Sequence, residues 1–424
     1  MAAPSRRDFL RLSAATAAAL AARDELFAQA AAPSDRIRLA TIGIGSMGVG
    51  DTDTALQVPG VEMVAAADVY DGRLTAAKEK YGASLVTTRD YRELLARPDI
   101  DAVIVATPDH WHMQQAIDAL KAGKAVYLEK PMVRTVDEGT RLIEAHQASG
   151  RPLQVGSQFV SSVVTLKARD LLASGAIGEV NLIESWWNRN SALSAWQYPI
   201  PDDASPQNVD WDRFLGSAPK VPFQPIRLFR WRNYQDYGTG MAGDLFVHLF
   251  STLHVVANSL GPTRIWASGG LRYWHDGRDV PDVMVAAYDY PKTDRHPEFN
   301  LTLKCNFADG ATTSLWGESG FRFNGQQGVM MLDPGSITLM RRATGDEDSM
   351  RSATQERFFP PQGYDDRLDH FKNFFAAMRG GPATVEDAVF GLRAAAPAVL
   401  SNTSHFEKRQ VAWDPVTMKV GRTV

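Results

Sequence analysis

The sequence predicts an α/β protein of two unlike halves, on three observations. From residue 35 to about residue 158, apolar runs of strand length alternate with amphipathic runs of helix length. That alternation makes a parallel sheet with helices on both faces. A glycine loop, Gly43-x-Gly45-x-x-Gly48, stands where the first strand passes into the first helix. From residue 263 to residue 339, strand candidates follow one another with few helical periods between them. They predict an open, largely antiparallel sheet.

In the first half the predicted strands are 37–42, 61–67, 85–87, 102–106, 125–128 and 153–156. The predicted helices between them are 47–57, 72–81, 91–95, 113–122 and 136–148. The second half opens with a helix at 166–173, ended by Gly175 and Gly178, and a strand at 180–187. Residues 188–230 are long, irregular and proline-rich. Gly240-Met-Ala-Gly243 leads into residues 244–254, which read as one helix. Strands are expected at 264–274, 283–289, 300–307, 311–316, 328–332 and 336–339, then a polar loop at 341–364 and closing helices at 368–378 and 386–400.

The glycine loop carries the first chemical statement. Gly43 permits a tight turn, Gly45 lets backbone approach a pyrophosphate, and Gly48 lets the helix pack on the strand. The helix, which Ser46 leads into and Met47 begins, turns free N–H groups and a positive dipole end toward phosphates. Asp68 ends the second strand, twenty residues after Gly48. A carboxylate there accepts hydrogen bonds from ribose hydroxyls and repels a 2′-phosphate, which favours NAD over NADP. Ligands of such sheets sit at the carboxyl ends of the strands. The residues just past the other strands are therefore candidates: Thr107, Pro108, His110 and His112, then Glu129 and Lys130, then Gln158. His110 and His112 have chelating spacing but no third ligand nearby, so no metal is expected. They contact the ribose or cap a helix.

Whole-chain properties narrow the class. The 424 residues suit two or three domains, and 44% hydrophobic with 22% charged residues is ordinary globular composition. A net charge of −4 offers no basic footprint for nucleic acid. Cys305 is the only cysteine, which excludes an intrachain disulfide. Residues 1–32 read as a twin-arginine signal: Ser5-Arg6-Arg7-Asp8-Phe9-Leu10-Arg11, an Ala-rich stretch at 12–22, and Ala28-Gln29-Ala30 for cleavage. The expected location is the periplasm, with no membrane attachment once the signal is removed. The expected division is 33–158 for the dinucleotide-binding domain and 159–424 for a substrate-binding and oligomerisation domain.

Five of the ten tryptophans, Trp186, Trp187, Trp196, Trp211 and Trp231, fall in or beside the irregular segment. They stack on sugar faces or hold a long loop down. Asp244 and His248, four apart on the predicted helix, share a face. They form a metal pair, a catalytic pair, or a capping Asp beside an unrelated His. His254 lies on another face and reads as structural.

These residues resemble the Gfo/Idh/MocA oxidoreductases, whose namesakes include glucose–fructose oxidoreductase and inositol dehydrogenase. The resemblance runs from residue 37 to about residue 260. It rests on the glycine loop, Thr107-Pro108-x-His110-x-His112, Glu129-Lys130-Pro131 and Asp244-x-x-x-His248. It implies a Rossmann domain, an α/β domain whose open sheet makes subunit contacts in a homodimer or homotetramer, and a catalytic group of Lys130, Asp244 and His248. His248 would take the proton of a sugar hydroxyl as hydride leaves. Asp244 would orient or assist it, and Lys130 would hydrogen-bond the reacting oxygen. Gln158, Trp231 and Arg232 would contact cofactor or substrate, and Trp187 would contact substrate.

The expected function is an exported NAD-dependent oxidoreductase acting on a sugar or sugar derivative. Free NAD is scarce outside the cytoplasm, so the cofactor is expected to stay bound and be recycled. A redox-neutral glycoside hydrolase or lyase working through a transient keto-sugar is the alternative. Its relatives' histidine motif differs from Asp244-Leu-Phe-Val-His248. A non-catalytic sugar- or nucleotide-binding protein is the alternative of another class.

Overall fold

The computed structural model describes residues 36–341 and 354–421. The proposed signal at 1–32 lies outside the described residues. Six parallel strands build the first sheet: β1 (Ile37–Ile42), β2 (Val61–Ala67), β3 (Val86–Thr88), β4 (Ala102–Val105), β5 (Ala125–Leu128) and β6 (Leu153–Val155). Their order is β3-β2-β1-β4-β5-β6, so the chain reverses direction across the sheet between β1 and β4. Most of the strands are short and largely apolar, and the edge strand β3, Val-Thr-Thr, is the exception. β4 and β5 are buried along their whole length, as strands covered on both faces must be.

One of those covers comes from the far end of the chain. The helix Asp366–Met378 lays Phe371, Phe374 and Phe375 on Ile37, Leu39, Ala102, Ile104 and Tyr127 of the first sheet. Phe371 stacks on Tyr127 with ring centroids 4.2 Å apart. The second half of the chain thus completes the core of the first.

The second sheet has ten strands in the order β14-β13-β12-β11-β7-β10-β9-β8-β15-β16. They are β7 (Val180–Asn188), β8 (Arg264–Gly270), β9 (Val283–Tyr290), β10 (Phe299–Asn306), β11 (Glu318–Gly325), β12 (Gly328–Asp333), β13 (Ser336–Arg341), β14 (Thr354–Phe358), β15 (Val411–Asp414) and β16 (Lys419–Val420). Among the described residues only the β7–β10 pair of this sheet is parallel. Buried and exposed residues alternate along β9 and β10, so one face is covered and the other open. The helices Val163–Ala173, Val247–Val256 and Ala388–Glu407 pack on the covered face. Tyr288 and Ser401 share a 2.7 Å hydrogen bond across that layer.

Three expectations need correction. Residues 311–316 are not a strand. Gly317, at φ +96°, turns the chain, and β11 begins only at Glu318. The expected polar loop at 341–364 holds β14, which pairs with β13. Residues 244–254 are not one uniform helix. A π-helical turn, Ala242–Phe246, runs into the α-helix Val247–Val256. Gly243 is needed in that turn, because a Cβ there would lie 1.9 Å from Thr239 Oγ1.

The irregular segment forms its own small core. Val209, Phe214, Leu215, Leu228, Phe229 and Tyr237 pack together with Tyr70 of the first domain. The Asp71 N–H donates to Asn208 O and the Asp210 N–H donates to Val69 O, which fastens the segment just beyond β2.

Candidate active site

A cavity of about 840 Å³ lies where the first sheet reverses order, roofed by the irregular segment and closed at one end by the π turn. That size is in the range of cofactor and substrate sites. Gly43, Gly45, Ser46, Met47, Asp68, Thr107, Pro108, Glu129, Lys130, Gln158, Trp187, Trp231, Arg232, Asp244 and His248 all line it. The chain therefore brings residues from seven separate strand ends and loops into one space.

The glycine end fits a dinucleotide. Gly43 sits at φ +86°, and a Cβ on it would lie 2.7 Å from Ala106 O. A Cβ on Gly48 would lie 2.0 Å from Gly43 O, so only glycine lets the helix Ser46–Ala55 pack this close. No side chain caps that helix, which leaves its first N–H groups for phosphate oxygens. Gly48 thus acts behind the cavity wall rather than on it.

Asp68 stands at the end of β2, buried, and accepts from the Tyr70 N–H at 3.1 Å. Arg73 Nη1 lies 3.4 Å from both of its carboxylate oxygens. The sequence gives no signal for Arg73, and its place beside Asp68 puts a cation at this end of the cavity.

His110 and His112 do not line the cavity. The helix they belong to begins at Asp109, so both lie in its first turn and point into the protein. His110 Nε2 bonds Phe214 O at 2.8 Å, and burial pushes its pKa down to about 4. His112 bonds Pro131 O at 2.7 Å through Nδ1 and Thr107 O at 2.8 Å through Nε2. The His112 ring holds the turns that carry Thr107 and Lys130, and the His110 ring ties its helix to the irregular segment. Asp109, beside them, accepts from Thr239 N at 2.9 Å and Thr239 Oγ1 at 2.6 Å, which ties the first domain to the residues before the π turn.

The reacting end is built around Lys130. Its Nζ donates to Asp244 Oδ1 at 2.9 Å and to Asp244 O at 3.0 Å. Arg232 Nε donates to the same Oδ1 at 3.1 Å. Burial pushes the Asp244 carboxyl up, but Lys130, Arg232 and Arg189 outweigh it and hold the group far below the usual carboxylate range. Asp244 does not hydrogen-bond His248. The π turn alters the helical spacing between them, and the carboxylate faces the two cations instead.

His248 lies between aromatic rings, 5.4 Å from Trp187 and 5.5 Å from Phe159 by centroid. Its Nδ1 is buried without a partner. Burial first, then the charge of Lys130, push its pKa well below the ordinary imidazole value. The ring is therefore neutral at pH 7 and free to take a proton. His254 sits away from the cavity and bonds the Tyr290 hydroxyl at 3.2 Å.

Behind Lys130, Glu129 and Asp51 are buried together, and burial pushes both carboxyls up. Asp51, on the glycine-loop helix, carries no motif that a sequence reading could catch. Trp196 and Trp316 join Trp187 and Trp231 on the cavity wall, whereas Trp211 stacks on Phe214 in the core of the irregular segment, 4.9 Å between centroids. The aromatic cluster thus serves both readings, wall and anchor.

Residues 37–157 match the profile of the Gfo/Idh/MocA oxidoreductase family, NAD-binding Rossmann fold. An inositol 2-dehydrogenase of Salmonella typhimurium is 30% identical over 165 residues, 38% of this chain and 49% of that protein. A glycosyl hydrolase family 109 protein of Shewanella baltica is 26% identical over 201 residues, 41% of this chain and 44% of that protein. The matches thus span about half the length of these curated relatives. Among solved structures, levoglucosan dehydrogenase in complex with NADH and levoglucosan superposes with a TM-score of 0.69 at 16% identity, over 89% of this chain and 99% of that one. At that identity the likeness speaks for the fold, and it extends over both domains.

Proposed function

We propose that this chain, whose residues 37–157 match the NAD-binding Rossmann fold of the Gfo/Idh/MocA oxidoreductase family, moves a hydride between a sugar hydroxyl carbon and a resident nicotinamide cofactor. The observation that carries this reading is the meeting of Lys130, Asp244 and His248 in the cavity that also holds the glycine loop. When bound, NAD supplies the hydride acceptor. His248, neutral and backed by Trp187 and Phe159, takes the hydroxyl proton as the C–H electron pair leaves and the C=O bond forms. A well-placed base of this kind contributes about 10²–10⁴-fold. The Lys130 ammonium donates to the reacting oxygen and stabilises its developing charge, while Asp244 fixes the ammonium in place. Trp187 and Trp231 offer flat apolar surface to a sugar ring.

The test is nicotinamide reduction at 340 nm over a panel of sugars, sugar acids and polyols, with the Lys130→Met and His248→Asn proteins as controls. Turnover that either substitution leaves intact would overturn the assignment.

A second reading draws on the glycosyl hydrolase family 109 relative. The same residues would oxidise a ring hydroxyl, allow elimination of a glycosidic substituent beside the new ketone, and return the hydride after water adds. It predicts release of the aglycone without added NAD and without net NADH.

We also propose export and self-assembly. Export is carried by the Arg6-Arg7 motif, and Arg6→Lys with Arg7→Lys should keep the protein in the cytoplasm. Assembly rests on the open face of the second sheet, where Trp266 and Val285 are about half exposed. Light scattering should show a dimer or tetramer, and Trp266→Glu with Val285→Glu should shift it toward monomer.

A further inference from the structure

The substrate end of the cavity holds more positive charge than the reaction needs. Lys130, Arg189 and Arg232 all line it, and of the carboxylates near them only Asp244 forms ion pairs, with Lys130 and Arg232. Arg189 is left over. It follows directly on β7, one residue past Asn188 and two past Trp187, the tryptophan that faces His248. Its backbone is fixed on both sides, N–H to Asn306 O at 2.8 Å and O from the Asp309 N–H at 3.0 Å. Its Nη1 donates to Ser194 O at 2.6 Å, and the guanidinium lies 5.5 Å from the Phe307 ring and 5.9 Å from the Trp187 ring. Its Nε is buried and has no partner. Among the described residues no carboxylate lies within ion-pairing distance of it. Burial is the largest influence on this group and works against its charge.

A guanidinium held this firmly, with an unsatisfied donor beside the reacting end, is costly unless something binds it. The Nε–Nη2 edge makes no hydrogen bond among the described residues and has the fork geometry that takes a planar, two-oxygen acceptor, but Nε is closed to solvent and must be uncovered for a ligand to reach it. We propose that the substrate is a sugar acid, whose carboxylate docks on Arg189 while the hydroxyl to be oxidised lies between Lys130 and His248. This deepens the oxidoreductase reading and rests on it for the placement of the hydroxyl.

The test separates binding from turnover. Calorimetry on the NAD-loaded protein compares glucuronate, galacturonate and gluconate with glucose, galactose and glucitol, and includes glucose 6-phosphate. At least one acid should bind tenfold or more tighter than its neutral counterpart. Arg189→Gln should remove that preference and Arg189→Lys should keep part of it, with NAD affinity unchanged as the folding control. Neutral sugars bound as tightly as every acid, or a preference that Arg189→Gln leaves in place, would overturn the inference. A phosphate ester bound more tightly than every acid would overturn the carboxylate assignment. Sugar-acid binding that depends on Arg189 but gives no hydride transfer would instead sink the oxidoreductase reading and leave only the carboxylate site on Arg189 standing. Turnover of neutral sugars that is indifferent to Arg189 would do the reverse.

Discussion

Lys130 and Asp244 are 114 positions apart in sequence, and the lysine Nζ lies 2.9 Å from the aspartate Oδ1, both side chains buried. One comes from the end of a parallel strand that reads the cofactor, the other from a π turn in the second domain. The pair therefore joins the two halves of the chain at the point where chemistry is proposed. Lys130→Met should lower kcat by about 10²–10³-fold while NAD affinity changes little. Asp244→Asn should cost less, because Lys130 keeps its bond to Asp244 O. The double variant should be no worse than Lys130→Met alone, since the two act as a unit. Additive losses in steady-state kinetics would show that Asp244 has a separate task.

His248 ties activity to pH in a defined direction. Its pKa is lowered by burial and by Lys130, so the base form persists below the ordinary imidazole value of 6.5. Activity should be lost only as pH falls through that lowered pKa. The acidic limb of kcat/KM should thus lie below pH 6.5, and the rate at pH 6.5 should remain on the plateau. His248→Asn should lower kcat by about 10²–10⁴-fold and remove the limb. A half-maximal point at or above pH 6.5 would argue against the ring as base.

Cofactor preference should turn on Asp68 and Arg73. The acid repels a 2′-phosphate and holds Arg73 at 3.4 Å. Asp68→Ala removes the repulsion and frees the guanidinium to meet the phosphate. The NADP-to-NAD affinity ratio should rise at least about tenfold, which is 1.4 kcal/mol. Adding Arg73→Ala should return most of it. Fluorescence titration with both reduced cofactors measures the two ratios.

The first sheet was legible because its strands other than β3 are largely apolar runs closed by polar joints, and because the glycine loop marks the first turn from strand to helix. The second sheet was less so. In β11, Phe321 and Phe323 point inward between polar residues, and the more apolar stretch just before it, with exposed Leu315 and Trp316, drew the prediction instead. The pairing of His110 with His112 was visible, but the start of their helix at Asp109 was not, and that single turn points both rings into the protein. Asp244 and His248 were found by their spacing, while the widened π turn that separates their roles has no sequence signature. Arg189 and Asp51 stand in no motif. Only the folded chain shows that one lacks a carboxylate and the other has Glu129 beside it.

Glu386 offers a test of the contact between the domains that needs no substrate. Its backbone O accepts from the Val155 N–H at 2.9 Å, and its side chain is buried against Ser251, whose hydroxyl donates to Oε1 at 3.1 Å. Oε2 has no partner, and burial pushes the carboxyl up to about 8 from an ordinary value of 4.5. The folded protein therefore holds a proton that the unfolded chain releases between those values. Its contribution to stability is full below pH 4.5 and is lost as pH rises through 8. Glu386→Gln keeps the shape of the protonated group and removes the titration. The variant and the parent should melt at nearly the same temperature at pH 5. At pH 9 the variant should melt higher by about 5 °C, from the usual cost per pKa unit and the usual Tm response to it. A difference that stays constant across this range would mean that the carboxyl is ionised in the folded protein and that a cation reaches it.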